Sequence, residues 1–171
     1  KSASESVLQY AAEGLRADSE IVWKSVKNDG RALQYVQADL KSDRALVMCA
    51  LRQDSSSIQF VQSEMLLDRE VAMIAVASDS SMTNLCVASL LPPAVQSDKE
   101  VMLRAIEEDP ASIQYASEGL KNDRDFVMAA LQMEDGEDLL QYVAPKLQDD
   151  AEVVLFALKQ NGAGEVIRHA S

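Results

Sequence analysis

Apolar residues return in one rhythm after each of six aspartates: Asp18, Asp43, Asp68, Asp98, Asp123 and Asp150. After Asp43 come Leu46, Val47, Ala50 and Leu51; after Asp123 come Phe126, Val127, Ala130 and Leu131. Apolar side chains three, four, seven and eight places on lie along one face of an α-helix, a spacing that excludes strand alternation. The aspartates fit N-caps, each carboxylate accepting free amides of the first turn. The acids just after them (Glu20, Glu70, Glu100, Asp125, Glu152) suit the positive helix end.

Upstream of each cap stands a second phrase, Leu/Ile-Gln-aromatic. It opens at Leu8, Leu33, Ile58, Ile113 and Leu140, in degenerate form at Leu85, and starts a seventh time at Ile167-Arg168-His169. This phrase is expected on a shorter helix of about two turns, capped by Asp29, Asp54, Asp79, Asp109, Asp135 and Asn161. Pro110 follows its cap at the first helical position, where proline is tolerated. Pro93 and Pro145 mark where this helix stops, and a tight turn then leads to the next cap. The fixed 25–28-residue period marks a solenoid in which each unit stacks on its neighbours. The expected fold is all-α: a right-handed-type α-solenoid of about six two-helix hairpins forming one domain over residues 1–171. Tetratricopeptide and ankyrin repeats are longer, roughly 33–34 residues, and leucine-rich repeats need a strand phrase that this chain lacks.

Charge alters the picture less than its size suggests. Formal net charge is −12, from 28 acids and 16 bases. Much of the excess is aspartate at the ends of short helices. The acids concentrate in the C-terminal half, which argues against nucleic acid as a partner and permits a basic one. Apolar runs are only a handful of residues long, far below the ~20 a membrane helix needs, so no insertion is expected. Cys49 and Cys86 lack CxxC spacing and read as small hydrophobes, which favours the cell interior. The chain starts at Lys1 without Met or a signal pattern, and is expected to be a processed or excised piece.

The phrases IQYASEGLKNDRDFVMAAL and LQDDAEVVLFALKQNG resemble the tandem repeats of domain of unknown function 4116. The resemblance runs from Leu8 to the end. It implies a helical-repeat fold, carries no established activity, and is spread over single-celled eukaryotes, algae among them, and some bacteria. The fourth unit departs most, with Cys86-Val87 in place of Gln-aromatic and the added LLPPA.

Nothing in the chain assembles into catalytic chemistry. His169, the one histidine, stands where other units put Tyr or Phe, and no set of Cys, His and carboxylates has zinc spacing. The glycines, among them Gly30, Gly136, Gly162 and Gly164, sit at helix ends and form no phosphate loop. No Gly-x-Ser-x-Gly elbow occurs. The chain is therefore expected to be no enzyme, with no cofactor and no metal.

Two features bear on binding. Tyr10, Tyr35, Phe60, Tyr115 and Tyr142 form a ladder expected to pack between repeats, each touching the next unit, with the tyrosine hydroxyls at the rim. The glutamines beside them are expected to bond neighbouring loops, and Trp23 is expected in the core. On the outer stripe of the capped helix, Glu20–Lys24 and Glu100–Arg104 have ion-pair spacing. The third and sixth units put Ile74, Ala77 and Phe156 on that stripe, which makes these the candidate partner contacts. The function expected is a protein–protein interaction module, an adaptor or scaffold. Two further readings stand beside it: an accessory subunit of a large, organellar or algal membrane complex, and a regulatory arm of a longer enzyme. The cut-off seventh unit is expected to leave an apolar end needing cover.

Overall fold

A computed structural model describes residues 7–77, 86–133 and 136–160, with the side chains of 136–138 and of Gln160 left aside. Leu85, Asp79, Asp135, Asn161, Gly162, Gly164 and the Ile167–His169 phrase lie outside these residues. All regular structure among the described residues is helical. The α-helices are α1 (Ser19–Asn28), α2 (Ala38–Lys41), α3 (Arg44–Gln53), α4 (Arg69–Ala77), α5 (Lys99–Glu108), α6 (Glu118–Lys121), α7 (Arg124–Leu131), α8 (Pro145–Gln148) and α9 (Ala151–Gln160). The Leu/Ile-Gln-aromatic phrases lie on 3-10 helices: Val7–Gln9, Gly30–Tyr35, Ser55–Phe60, Pro110–Tyr115 and Gly136–Tyr142.

Each repeat thus gains a third piece. The expected tight turn is itself one helical turn: Glu13–Arg16, α2, Met65–Leu67, Val95–Ser97, α6 or α8. Pro145 opens α8 at its first position, so it starts a helix as well as ending one. The 3-10 form of the first helix follows from its length. Six residues between two corners give few i→i−4 bonds, and the tighter winding satisfies carbonyls sooner.

At three corners between an α-helix and the following 3-10 helix, one residue makes the turn. Asp29 is extended (φ −149°) and is both the last cap of α1 and the first cap of Gly30–Tyr35. Its amide donates to the Ser25 carbonyl, its carbonyl accepts from Ala32, and its carboxylate accepts from the Arg31 amide. Asp54 and Asp109 repeat this arrangement. A short polar side chain able to reach its own i+2 amide is what the corner demands, and aspartate supplies it.

The chain divides into two compact bodies, Lys1–Val95 and Gln96–Ser171, with the break inside the fourth repeat. In the first body α3 packs against α1 on one side and α4 on the other. Leu8, Val22, Val26, Ala32, Leu33, Val36, Leu46 and Ala50 form one buried cluster drawn from two repeats, with Trp23, Tyr35, Phe60 and Val61 against it. In the second body α7 packs between α5 and α9, around Val101, Met102, Ile106, Ile113, Phe126, Val127 and Leu131.

Neighbouring repeats are also joined through the backbone. The amides of Gln37, Ser117 and Ala144 donate to the carbonyls of Arg16, Gln96 and Lys121, each two places before a cap aspartate. The backbone also approaches closely at Gly30. A Cβ built there would stand 2.3 Å from the Ala50 carbonyl oxygen and 3.0 Å from Ser57 Oγ. The Ser57 hydroxyl is buried beside it with no hydrogen-bond partner, whereas the second repeat has Ala32 at the same position. Two substitutions should therefore move urea midpoints in opposite directions. Gly30→Ala is expected to destabilise by about 1–3 kcal/mol, because backbone must shift to admit the methyl. Ser57→Ala, which removes an unsatisfied buried hydroxyl, should be neutral or stabilising.

Candidate functional site

The cap aspartates do two jobs. Their carboxylates accept first-turn amides: Asp18 from Ile21, Asp43 from Ala45 and Leu46, Asp68 from Glu70 and Val71, Asp98 from Glu100 and Val101, Asp123 from Phe126, and Asp150 from Glu152 and Val153. Several also receive a cation from the preceding repeat. Arg44 reaches Asp68 Oδ2 at 2.8 Å and Glu70 Oε2 at 2.5 Å. Lys99 lies 3.7 Å from Asp123, and Arg124 pairs with Asp150 at 3.6 Å and with Glu152. Each of these bases directly follows the cap of its own helix. Arg44 and the Val71 amide hold the Asp68 carboxyl down at about 2. The Phe126 amide, with Lys99 behind it, holds Asp123 below its usual range.

The sequence reading missed this bridge, although Asp-Arg or Asp-Lys at 43–44, 68–69, 98–99 and 123–124 carried the signal. A base at the first helical position opposes the helix dipole, so its recurrence needed a partner elsewhere. A second polar device recurs two places before the cap. Arg16, Lys41, Lys121 and Gln148 turn back onto carbonyls of the Gln-aromatic phrase, at Gln9, Gln34, Gln114 and Leu140. Burial lowers the Lys41 ammonium from its ordinary value.

Tyr35 and Phe60 contact the preceding repeat, where the sequence suggested the next. The Tyr35 hydroxyl donates to Gln9 Oε1 at 3.0 Å. Tyr35, Phe60, Tyr115 and Tyr142 are half-buried, whereas Tyr10, in the first repeat, is 70% exposed. On the outer stripe Arg104 turns forward to Glu107 and Glu108, both at 2.5 Å. Glu20 and Lys24 form no ion pair among the described residues, and Lys27 lies 5.5 Å over the Trp23 ring. Of the three candidate partner contacts, Ala77 is exposed and Ile74 and Phe156 are half-buried. Their neighbours on α9 are more open. Leu155 is 52% and Leu158 41% exposed, whereas Val26, Leu51, Val76, Ile106 and Leu131, at the position of Leu158, are buried.

The family model for domain of unknown function 4116 (DUF4116) matches residues 3–41, 18–66 and 98–136, more than half of the chain. The chain belongs to this family. No curated protein and no solved structure matches it.

The matched DUF4116 segments include the caps Asp18, Asp43, Asp98 and Asp123, and three of the bases beside them. The family description assigns no chemistry. Among the described residues no group of His, Cys, Asp or Glu could hold a metal ion, and no helix is long and apolar enough to cross a membrane. Among the described ion pairs, those of Arg44, Lys99 and Arg124 join repeats. That role predicts a pH effect. Asp68 has a folded pKa below its unfolded value, so its stabilisation is complete above about pH 4 and is lost as pH falls toward 2. In Arg44→Ala, an NMR titration should find the Asp68 pKa raised toward ~3.9, and acid unfolding should begin at higher pH.

Proposed function

We propose that the chain is a non-catalytic protein–protein interaction module, an adaptor or scaffold built from helical repeats. The observation that supports this reading is the apolar strip at the end of α9. Leu158 stands open at a position that other repeats bury, and Leu155, whose counterparts are half-buried or buried, is more open beside it. Full burial of a leucine is worth about 1.5–3 kcal/mol, so a partner covering this strip gains substantially from two residues. On α4, in the other body, Ala77 is exposed and Ile74 half-buried, and on α9 Phe156 is half-buried. The partner is another protein. A basic face on it would suit the acidic C-terminal half, which carries most of the formal net charge.

The same open strip favours a second reading, a subunit held permanently in a larger assembly, since a lasting interface would keep these leucines dry. The two readings separate on purification from the native source under gentle conditions. A stoichiometric set of companions supports the permanent subunit, and a helical monomer supports the adaptor.

Leu155→Glu and Leu158→Glu test the surface itself. Both side chains are exposed, so each variant should unfold within about 0.5 kcal/mol of the native chain. Co-purification of the partner, followed by mass spectrometry, should fall at least tenfold. Unchanged partner recovery in both variants would remove α9 as the contact.

A further inference from the structure

Three positions of the repeat face the preceding unit. One is the residue before the opening Leu/Ile: Ala32, Ser57, Ser112 and Leu139 are buried there, whereas Val7 is 78% exposed. A second lies three places before the cap: Val95, Leu120 and Leu147 are buried and Leu40 and Met65 half-buried, whereas Leu15 is 46% exposed. The third lies three places after the cap: Leu46, Val71, Val101, Phe126 and Val153 are completely buried, whereas Ile21 is 36% exposed. The first repeat therefore presents, uncovered, the face that later repeats bury.

The charges on this face repeat the same pattern. Asp68 with Glu70, and Asp150 with Glu152, each hold an arginine from the preceding repeat. Asp18 and Glu20 occupy the same two places. The Asp18 carboxylate accepts the Ile21 amide, and neither acid meets a basic side chain among the described residues.

We propose that Val7, Leu15 and Ile21, with Asp18 and Glu20, form a docking surface for a helical unit of this same repeat type from outside these 171 residues. That unit carries arginine or lysine directly after its cap aspartate, and its base is received by Asp18 and Glu20. A second copy of this chain does not fit, because its last described repeat has Ala151 where Arg44, Arg69, Lys99 and Arg124 stand. The surface is distinct from the α9 strip, and its test does not depend on that reading.

The test joins an extra repeat, copied from Val26–Ala50, directly to Lys1 in register. The expected result is one urea transition with a higher midpoint and a steeper denaturant dependence than the native chain. In a double-mutant cycle, Asp18→Asn with Glu20→Gln is combined with Ala in place of the added arginine. Asparagine preserves the cap, so the cycle reads charge alone, and the unfolding constant should show coupling of about two- to fivefold. A second extension copied from Ile106–Ala130 guards against failure of the first to fold. Two separate transitions or an unmoved midpoint with both extensions, or strict additivity in the cycle, would overturn the proposal. So would concentration-dependent dimerisation of the native chain that Ile21→Glu abolishes, which would assign the face to a second copy.

Discussion

Short helices leave most of their backbone polar groups at an end, and this fold is made of little else. Four amides and four carbonyls lack helical partners at each pair of termini, so a ten-residue helix such as α3 has more loose ends than a long one per residue. Helices this short are also marginal alone. The aspartates answer the first problem, at about 1 kcal/mol for a typical N-cap. Stacking answers the second, because the apolar face of each helix is buried only when a neighbouring repeat arrives.

The two answers are coupled through the same side chains. A carboxylate that caps a first turn still has lone pairs to spare, and at Asp68, Asp123 and Asp150 a base from the preceding repeat occupies them. The cost is a cation at the positive end of its own helix. Arg44 offsets that cost by meeting two carboxylates at once, Asp68 and Glu70. Exposed ion pairs of this kind stabilise weakly. Their geometry also fixes which residues of neighbouring repeats meet, since each base reaches a carboxylate at one place in the next unit.

The parts of this arrangement that a sequence states openly are those with a fixed spacing inside one repeat. The helix after Asp43, the cap itself and the corner at Asp29 follow from spacing and from what aspartate can reach. The one-turn helices were harder to read. A four-residue helix such as α2 contains barely one period, so it looks like a turn. Contacts between repeats were harder still. Arg44 and Asp68 are far apart in sequence, and only the unfavourable base at the first helical position marked them as related. Exposure on the outer stripe is graded as well. Helical phase places Ile74, Ala77 and Phe156 outward; Ala77 is exposed, Ile74 and Phe156 are half-buried, and Leu155 and Leu158 on α9 are more open than these two. No one-dimensional pattern distinguishes a packing position with a neighbour from one without.

A repeat built this way has a direction. The position three after the cap serves the preceding unit, and the position eight after it serves the following one. Ile21 and Leu158 are the exposed members of these two series among the described residues. Such a face cannot be self-complementary, because its apolar and acidic elements match a different face of the repeat. Association through it is therefore heterologous, and it extends a row of units where a two-fold interface would close on itself. Specificity along the row then depends on the polar pair. The apolar positions accept Val, Leu, Ile or Phe with small adjustments, as residues 46, 71, 101 and 126 already do within this chain. Asp18 and Glu20 ask for a cation at one place, and a unit with alanine there leaves two carboxylates without an ion-pair partner at the junction.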